Sequence, residues 1–224
     1  MTEGLCDPAF AEVGKVLDES LAAGDELGAA VSVYVDGRCV VDLWGGVADQ
    51  RSGRPWRRDT ACVTFSCTKA VTATAALLLA QRGDVDLDAP VTSWWPEFGA
   101  HGKDATTGEH LLSHQAGLPA FDRPISVEDA ANPVAMAAQL AGQSPEWSPG
   151  TAHGYHALTF GWLVGELVRR HSGRTVGEFV RGELGPQLWV GVPATMLDEL
   201  ARIAPGRPGR ARGLPAPHEL VTKL

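Results

Sequence analysis

The chain has 224 residues, 44% hydrophobic and 21% charged, a composition that suits a globular protein with one sizeable core or two small lobes. Its formal net charge of −8 argues against a nucleic-acid partner, since the basic residues are scattered apart from Arg207, Arg210 and Arg212. No run approaches ~18 apolar residues and no basic segment followed by an apolar stretch opens the chain, so the expectation is a cytoplasmic protein that neither crosses a membrane nor carries a secretory signal.

From Pro8 to Ala23, Phe10, Val13, Leu17 and Leu21 recur at helical spacing, which predicts an amphipathic opening helix. Two strand-like runs follow, residues 29–35 and 38–44, joined by Asp36-Gly37; this predicts a β-hairpin over about 29–46. Gly45-Gly46 and the 51–55 stretch read as a loop. The region from about 60 to 184 is expected to be mostly helical, starting with an Ala/Leu-rich helix over 69–80. Thr106 with Glu109, Ser126 with Asp129, and Thr175 with Glu178 have the spacing of capping boxes at later helix starts. Residues 204–224 are rich in Pro, Gly and Arg and read as a disordered tail. The cysteines Cys6, Cys39, Cys62 and Cys67 lack both Cys-x-x-Cys spacing and disulfide density, so free thiols are expected, with Cys67 packed into the core.

The chemistry concentrates at Phe65-Ser66-Cys67-Thr68-Lys69, immediately before the Ala/Leu-rich helix. Residues three apart share a helix face, so the Ser66 hydroxyl and the Lys69 amine come within reach of each other. A serine hydroxyl is a poor nucleophile until a base takes its proton, and lysine can be that base if its surroundings lower its pKa. A helix start also offers backbone N–H groups to a developing oxyanion. The plainer reading, a helix cap beside a solvated lysine, stays open on these residues alone.

Other candidate sites fail. Asp84-Val85-Asp86-Leu87-Asp88 begins like a calcium loop, but Ala89 stands where that loop needs Gly and Trp95 where it needs Glu. His110 and His114 are four apart without the Glu or third ligand of a zinc site. There is no Gly-x-Ser-x-Gly elbow and no phosphate loop. No metal and no cofactor are expected.

After the Ser-x-x-Lys pair come Gly83-Asp84-Val85-Asp86-Leu87-Asp88, then Leu111-Leu112-Ser113-His114-Gln115-Ala116-Gly117-Leu118, Trp147-Ser148-Pro149-Gly150 and Gly154-Tyr155-His156-Ala157. In that order the series resembles the serine β-lactamase and penicillin-binding-protein superfamily, specifically the class C β-lactamase-like branch with the family VIII esterases, over residues 8 to about 200. The resemblance implies an α/β (α+β) fold of the β-lactamase/transpeptidase type, a helical lobe with an antiparallel sheet, as one domain over residues 1–200. It implies Ser66 as acyl-accepting nucleophile, Lys69 as its partner and Tyr155 as a proton shuttle, with a small-molecule ester or amide as substrate.

Two departures matter. Ala157 stands where the family's Tyr-x-Asn motif has Asn, which favours esters over β-lactams. The C-terminal strands of the family's sheet, one bearing a Lys-Thr-Gly, His-x-Gly or Trp-x-Gly motif, find no counterpart; Trp189-Val190-Gly191 has the letters but follows Tyr155 by only about 35 residues. The expectation is a carboxylic-ester hydrolase. The alternatives are a catalytically impaired truncated homologue, a non-enzymatic binding module, or a β-lactamase or D-alanyl-D-alanine peptidase. An uncovered hairpin would also predict self-association through a sheet edge.

Overall fold

Asp36 and Gly37 both take positive φ, 50° and 76°, the backbone of a two-residue hairpin turn whose twist matches the strands beside it. This turn joins β2 (Gly28–Val35) to β3 (Arg38–Asp49), pairing Val31 with Leu43 and Val33 with Val41. The computed structural model describes residues 1–205, divided into two compact units: Met1–Val63 with the segment from Pro193 onward, and Thr64–Val192. The Pro/Gly/Arg-rich tail expected over 204–224 lies almost wholly outside the described residues.

In the first unit the expected two-stranded hairpin is a four-stranded antiparallel sheet. β1 (Glu3–Cys6) pairs with the far edge of β3, Glu3 opposite Trp44 and Cys6 opposite Val41, and β4 (Arg54–Pro55) pairs with the end of β3. Four residues with a glycine give no alternation to read, so β1 was invisible to periodicity. A 3₁₀ turn, Pro8–Phe10, leads into α1 (Ala11–Ala23), where Asp7 accepts the Ala9 N–H at 3.0 Å. Phe10, Val13 and Leu17 then pack over Val40, Val41 and Leu43. The apolar face expected to lie bare is therefore covered; Val31 and Val33 are half-buried and only Val35 stays exposed. Among the described residues β2 has no strand on its outer side, and the expected self-association would rest on that edge. Among its described residues the returning segment adds no strand: Ala201 and Arg202 donate to the Ala61 and Ala48 carbonyls at 2.8 and 2.7 Å.

The second unit is helical, with α2 (Thr68–Gln81), α3 (Gly108–Leu112), α4 (Val127–Ala130), α5 (Pro133–Gly142), α6 (Thr159–Ser172) and α7 (Val176–Glu183). α2 buries Thr72, Ala75, Ala76 and Leu79; small side chains let α6 approach it, and α6 in turn buries Phe160, Leu163, Val164, Leu167 and Val168 along one stripe. Two capping boxes stand as expected, Ser126 with Asp129 and Thr175 with Glu178. The third is displaced by one residue, to Thr107 with His110. The cause is local: Thr106 O accepts the Val91 N–H and Thr107 forms a bridge with Pro90, so the chain remains extended through Thr107 before the helix begins. His110 is thereby used as a cap, its Nδ1 accepting the Thr107 N–H at 3.2 Å.

Lys103 is fully buried beside the Phe98 ring, donating to the Ala100 carbonyl at 2.8 Å and to the Gln143 carbonyl at the end of α5. Burial lowers its pKa, and the negative charge of neighbouring Asp104 opposes that. No helix among the described residues is long and apolar enough to cross a membrane.

Candidate active site

Ser66 does not lie in the first turn of α2, as the spacing suggested, but in a 3₁₀ turn, Phe65–Cys67, that leads into it. Phe65 enters this turn at φ 45°, a strained conformation for a residue with a side chain, costing about 1–3 kcal/mol. The turn leaves Phe65, Ser66 and Cys67 exposed. Cys67 is thus a surface thiol, where core packing was expected, because the 3₁₀ geometry directs it away from the α2 stripe; all four cysteines are free.

The Ser66 and Lys69 side chains meet as the spacing predicts, Lys69 Nζ donating to Ser66 Oγ at 3.4 Å. Its shorter bond is to the Ala157 carbonyl, at 2.7 Å, and Nζ lies 4.8 Å from the centre of the Tyr155 ring and 5.8 Å from that of Phe160. Tyr155, 47% exposed, faces both groups. Hydrogen bonding to Ser66 first, and to Lys69 second, holds its phenol below the usual tyrosine range. Ser66, Lys69 and Tyr155, named from the sequence, are therefore brought together.

Three participants were missed. The main chain of residue 157 accepts from Lys69, a role independent of its side chain and hence unreadable from residue type. His114 and His156 lie behind Tyr155: the ring centres of His114 and Tyr155 are 5.0 Å apart, and those of His114 and His156 5.5 Å. In the sequence His114 stands within the 111–118 motif and as half of a rejected zinc pair, without a role of its own; its partner in that pair, His110, serves as a helix cap.

A cavity of about 600 Å³ opens beside Ser66 and Lys69 and runs between α2 and α6. Its lining is largely apolar, with Thr72, Phe160, Gly161, Gly165, Val190 and Gly191 among the walls. Val190 and Gly191 reach it from an irregular segment, not from a pocket-lining strand. The Trp189 ring is turned elsewhere, under the Arg181 guanidinium at 3.4 Å.

This constellation agrees with the comparison to known proteins: the family model described as Beta-lactamase matches residues 13–218. The chain belongs to the beta-lactamase family. It is 40% identical over 185 residues to the esterase/beta-lactamase LipL of Mycobacterium tuberculosis, in a match covering 83% of this chain and 43% of that protein. The crystal structure of a family VIII carboxylesterase superposes with a TM-score of 0.86 at 37% identity, covering 91% of this chain and 57% of that one. A penicillin-binding-protein homologue from Caulobacter crescentus gives the same TM-score at 39% identity, covering 92% and 56%. The helices and antiparallel sheet are thus a β-lactamase/transpeptidase-like fold. The chain spans about half the length of the relatives it matches.

Proposed function

We propose that this chain carries the acylation site of a serine hydrolase acting on carboxylic esters through an acyl-enzyme on Ser66. The observation that supports it most is the Lys69 contact shared by Ser66 Oγ and the Ala157 carbonyl, with the Tyr155 phenol against both. In the first half-reaction Ser66 Oγ attacks the ester carbonyl carbon while its proton passes to Tyr155, whose phenolate is favoured by the two polar neighbours. Collapse of the tetrahedral oxyanion breaks the carbonyl–alkoxy bond, and Tyr155 returns the proton to the departing alcohol. Water, deprotonated by the regenerated Tyr155 phenolate, then attacks the acyl carbon; collapse of this second tetrahedral oxyanion breaks the bond to Ser66 Oγ, which takes the proton back from Tyr155 as the acid leaves. Lys69, held by the Ala157 carbonyl, keeps a positive field on both oxygens throughout.

Two features favour esters. Ala157 offers no carboxamide to a lactam amide, and the apolar cavity suits a hydrocarbon acyl or alkoxy group better than a charged one. The exposure of Ser66 favours the second reading, an impaired homologue, because open water weakens electrostatic stabilisation of the oxyanion. p-Nitrophenyl acetate separates the readings. Acyl mass should appear on Ser66 and turnover should vanish in Ser66→Ala, with a β-lactam acylating slowly and releasing poorly. Unchanged turnover in Ser66→Ala removes the assignment.

A further inference from the structure

Residues 152–156, which bring Tyr155 to Ser66, form neither helix nor strand, so no ladder of backbone bonds fixes the phenol. We infer that His114 and His156, as neutral imidazoles, form a latch between the 113–118 loop and the 152–157 segment that positions Tyr155 and the Ala157 carbonyl against Ser66 and Lys69. The latch rests on the catalytic reading of Tyr155 for its consequence, not for its geometry.

The bonds interlock. His114 Nδ1 accepts the His156 N–H at 3.1 Å, and the His114 carbonyl accepts the Gly154 N–H at 3.2 Å. From the other side, His156 Nε2 accepts the Leu118 N–H at 3.0 Å, while its Nδ1 lies 2.6 Å from the Gly154 carbonyl. Tyr155 is thus bracketed by two residues, Gly154 and His156, that are both tied to the facing loop. Thr159 extends the clasp by donating to the Leu118 carbonyl at 2.6 Å.

These partners fix the proton positions. A backbone N–H only donates, so His114 Nδ1 and His156 Nε2 must each present a lone pair. In His156 the proton then sits on Nδ1, which donates to the Gly154 carbonyl. Protonating either acceptor nitrogen would set donor against donor, in a site where His156 is fully buried. The occupied Nδ1 of His114 also rules that atom out as a base for Ser66. His114 holds φ 63°, a conformation uncommon for any residue with a side chain although His is among the types that adopt it most readily, and the surrounding bonds keep it there. Gly154 belongs to the same clasp: a Cβ there would lie 2.5 Å from the Trp147 ring.

The chain has two tyrosines, so a Tyr34→Phe background, altering an exposed hairpin residue, leaves Tyr155 as the sole phenol to follow by ultraviolet titration. With the latch intact Tyr155 titrates below the ordinary value of about 10. His114→Leu, which lacks the acceptor, should return it to that value. His114→Asn, whose Oδ1 can replace Nδ1 and whose residue type tolerates positive φ, should keep it low. A low Tyr155 value in folded His114→Leu protein overturns the latch. If that variant fails to fold, ¹⁵N shifts of the unsubstituted protein at pH 7 decide: a bare Nδ1 on His114 with a protonated Nδ1 on His156 is required, and either charged ring or the opposite pair of tautomers overturns it. Neither readout needs ester turnover, so an inactive chain would defeat the proposed function and leave this question answerable.

Discussion

Acidification from pH 7 to pH 4 should destabilise the protein through His114 in particular. Burial above all, then the charges of His156, His153 and Lys69, lowers the His114 pKa from 6.5 to about 4, and the uncharged Tyr155 phenol completes the set of titratable groups around the ring. Between those values the unfolded chain binds a proton that the folded protein refuses. The contribution is therefore fully present above 6.5 and lost as pH falls toward 4. The gap corresponds to about 3 kcal/mol as an upper bound, since the ring is only partly buried. His114→Asn keeps the acceptor but does not titrate. Urea denaturation followed by tryptophan fluorescence at pH 7, 6, 5 and 4 should show the unsubstituted protein losing up to about 3 kcal/mol more than His114→Asn, a midpoint shift of at most about 1–3 M. Taking the difference cancels the carboxylates, common to both proteins, and leaves His114 with its coupling to His156. Parallel losses would show that His114 is not held neutral by its surroundings, and the electrostatic argument for the site would fail with it.

Tyr155→Phe should reduce ester turnover by about 10²–10⁴-fold with little change in KM, as expected for loss of a general base, and a loss below tenfold would assign proton transfer to Lys69 alone. In the unsubstituted protein turnover should rise with pH through the depressed Tyr155 pKa, because the phenolate is the competent form; a flat profile from pH 6 to 10 counts against it. Lys103→Met should cost about 1–3 kcal/mol, since the buried Gln143 carbonyl and the partly buried Ala100 carbonyl lose their donor, and an unchanged thermal midpoint would show that other donors reach them.

The sequence was legible where chemistry depends on residue type at fixed spacing. Ser66 and Lys69 meet because three positions close a helical turn, and a 3₁₀ lead-in preserves that meeting although it shifts the start of α2. The hairpin was legible because Asp36-Gly37 encodes its turn. β1 was not, because its pairing with β3 is specified by backbone groups that any four residues possess. The capping box at 107 slipped by one because pairing of Thr106 and Thr107 with residues 90 and 91 outranked the local signal of Thr106 with Glu109. Cys67 was misplaced for a related reason: it falls in the 3₁₀ lead-in, entered at a positive φ at Phe65, where the helical spacing of α2 does not apply, and no propensity announces that turn.

The histidines show why a motif and its support differ in readability. A nucleophile and its base must be particular residue types, so their identity survives in the string. The groups holding them need only present a lone pair or an N–H at the right place, a task open to main chain and to several side chains. Here the Ala157 carbonyl orients Lys69, and two imidazoles accept backbone N–H groups at sequence separations of 38 and 42. Separation of that order carries no periodic signal, and the function of each ring depends on where the other loop lies. Such contacts are also where a site is most easily disabled without touching its reactive atoms: an uncharged ring turned into a cation reverses one hydrogen bond, and the irregular segment behind it has no ladder to hold Tyr155 in place.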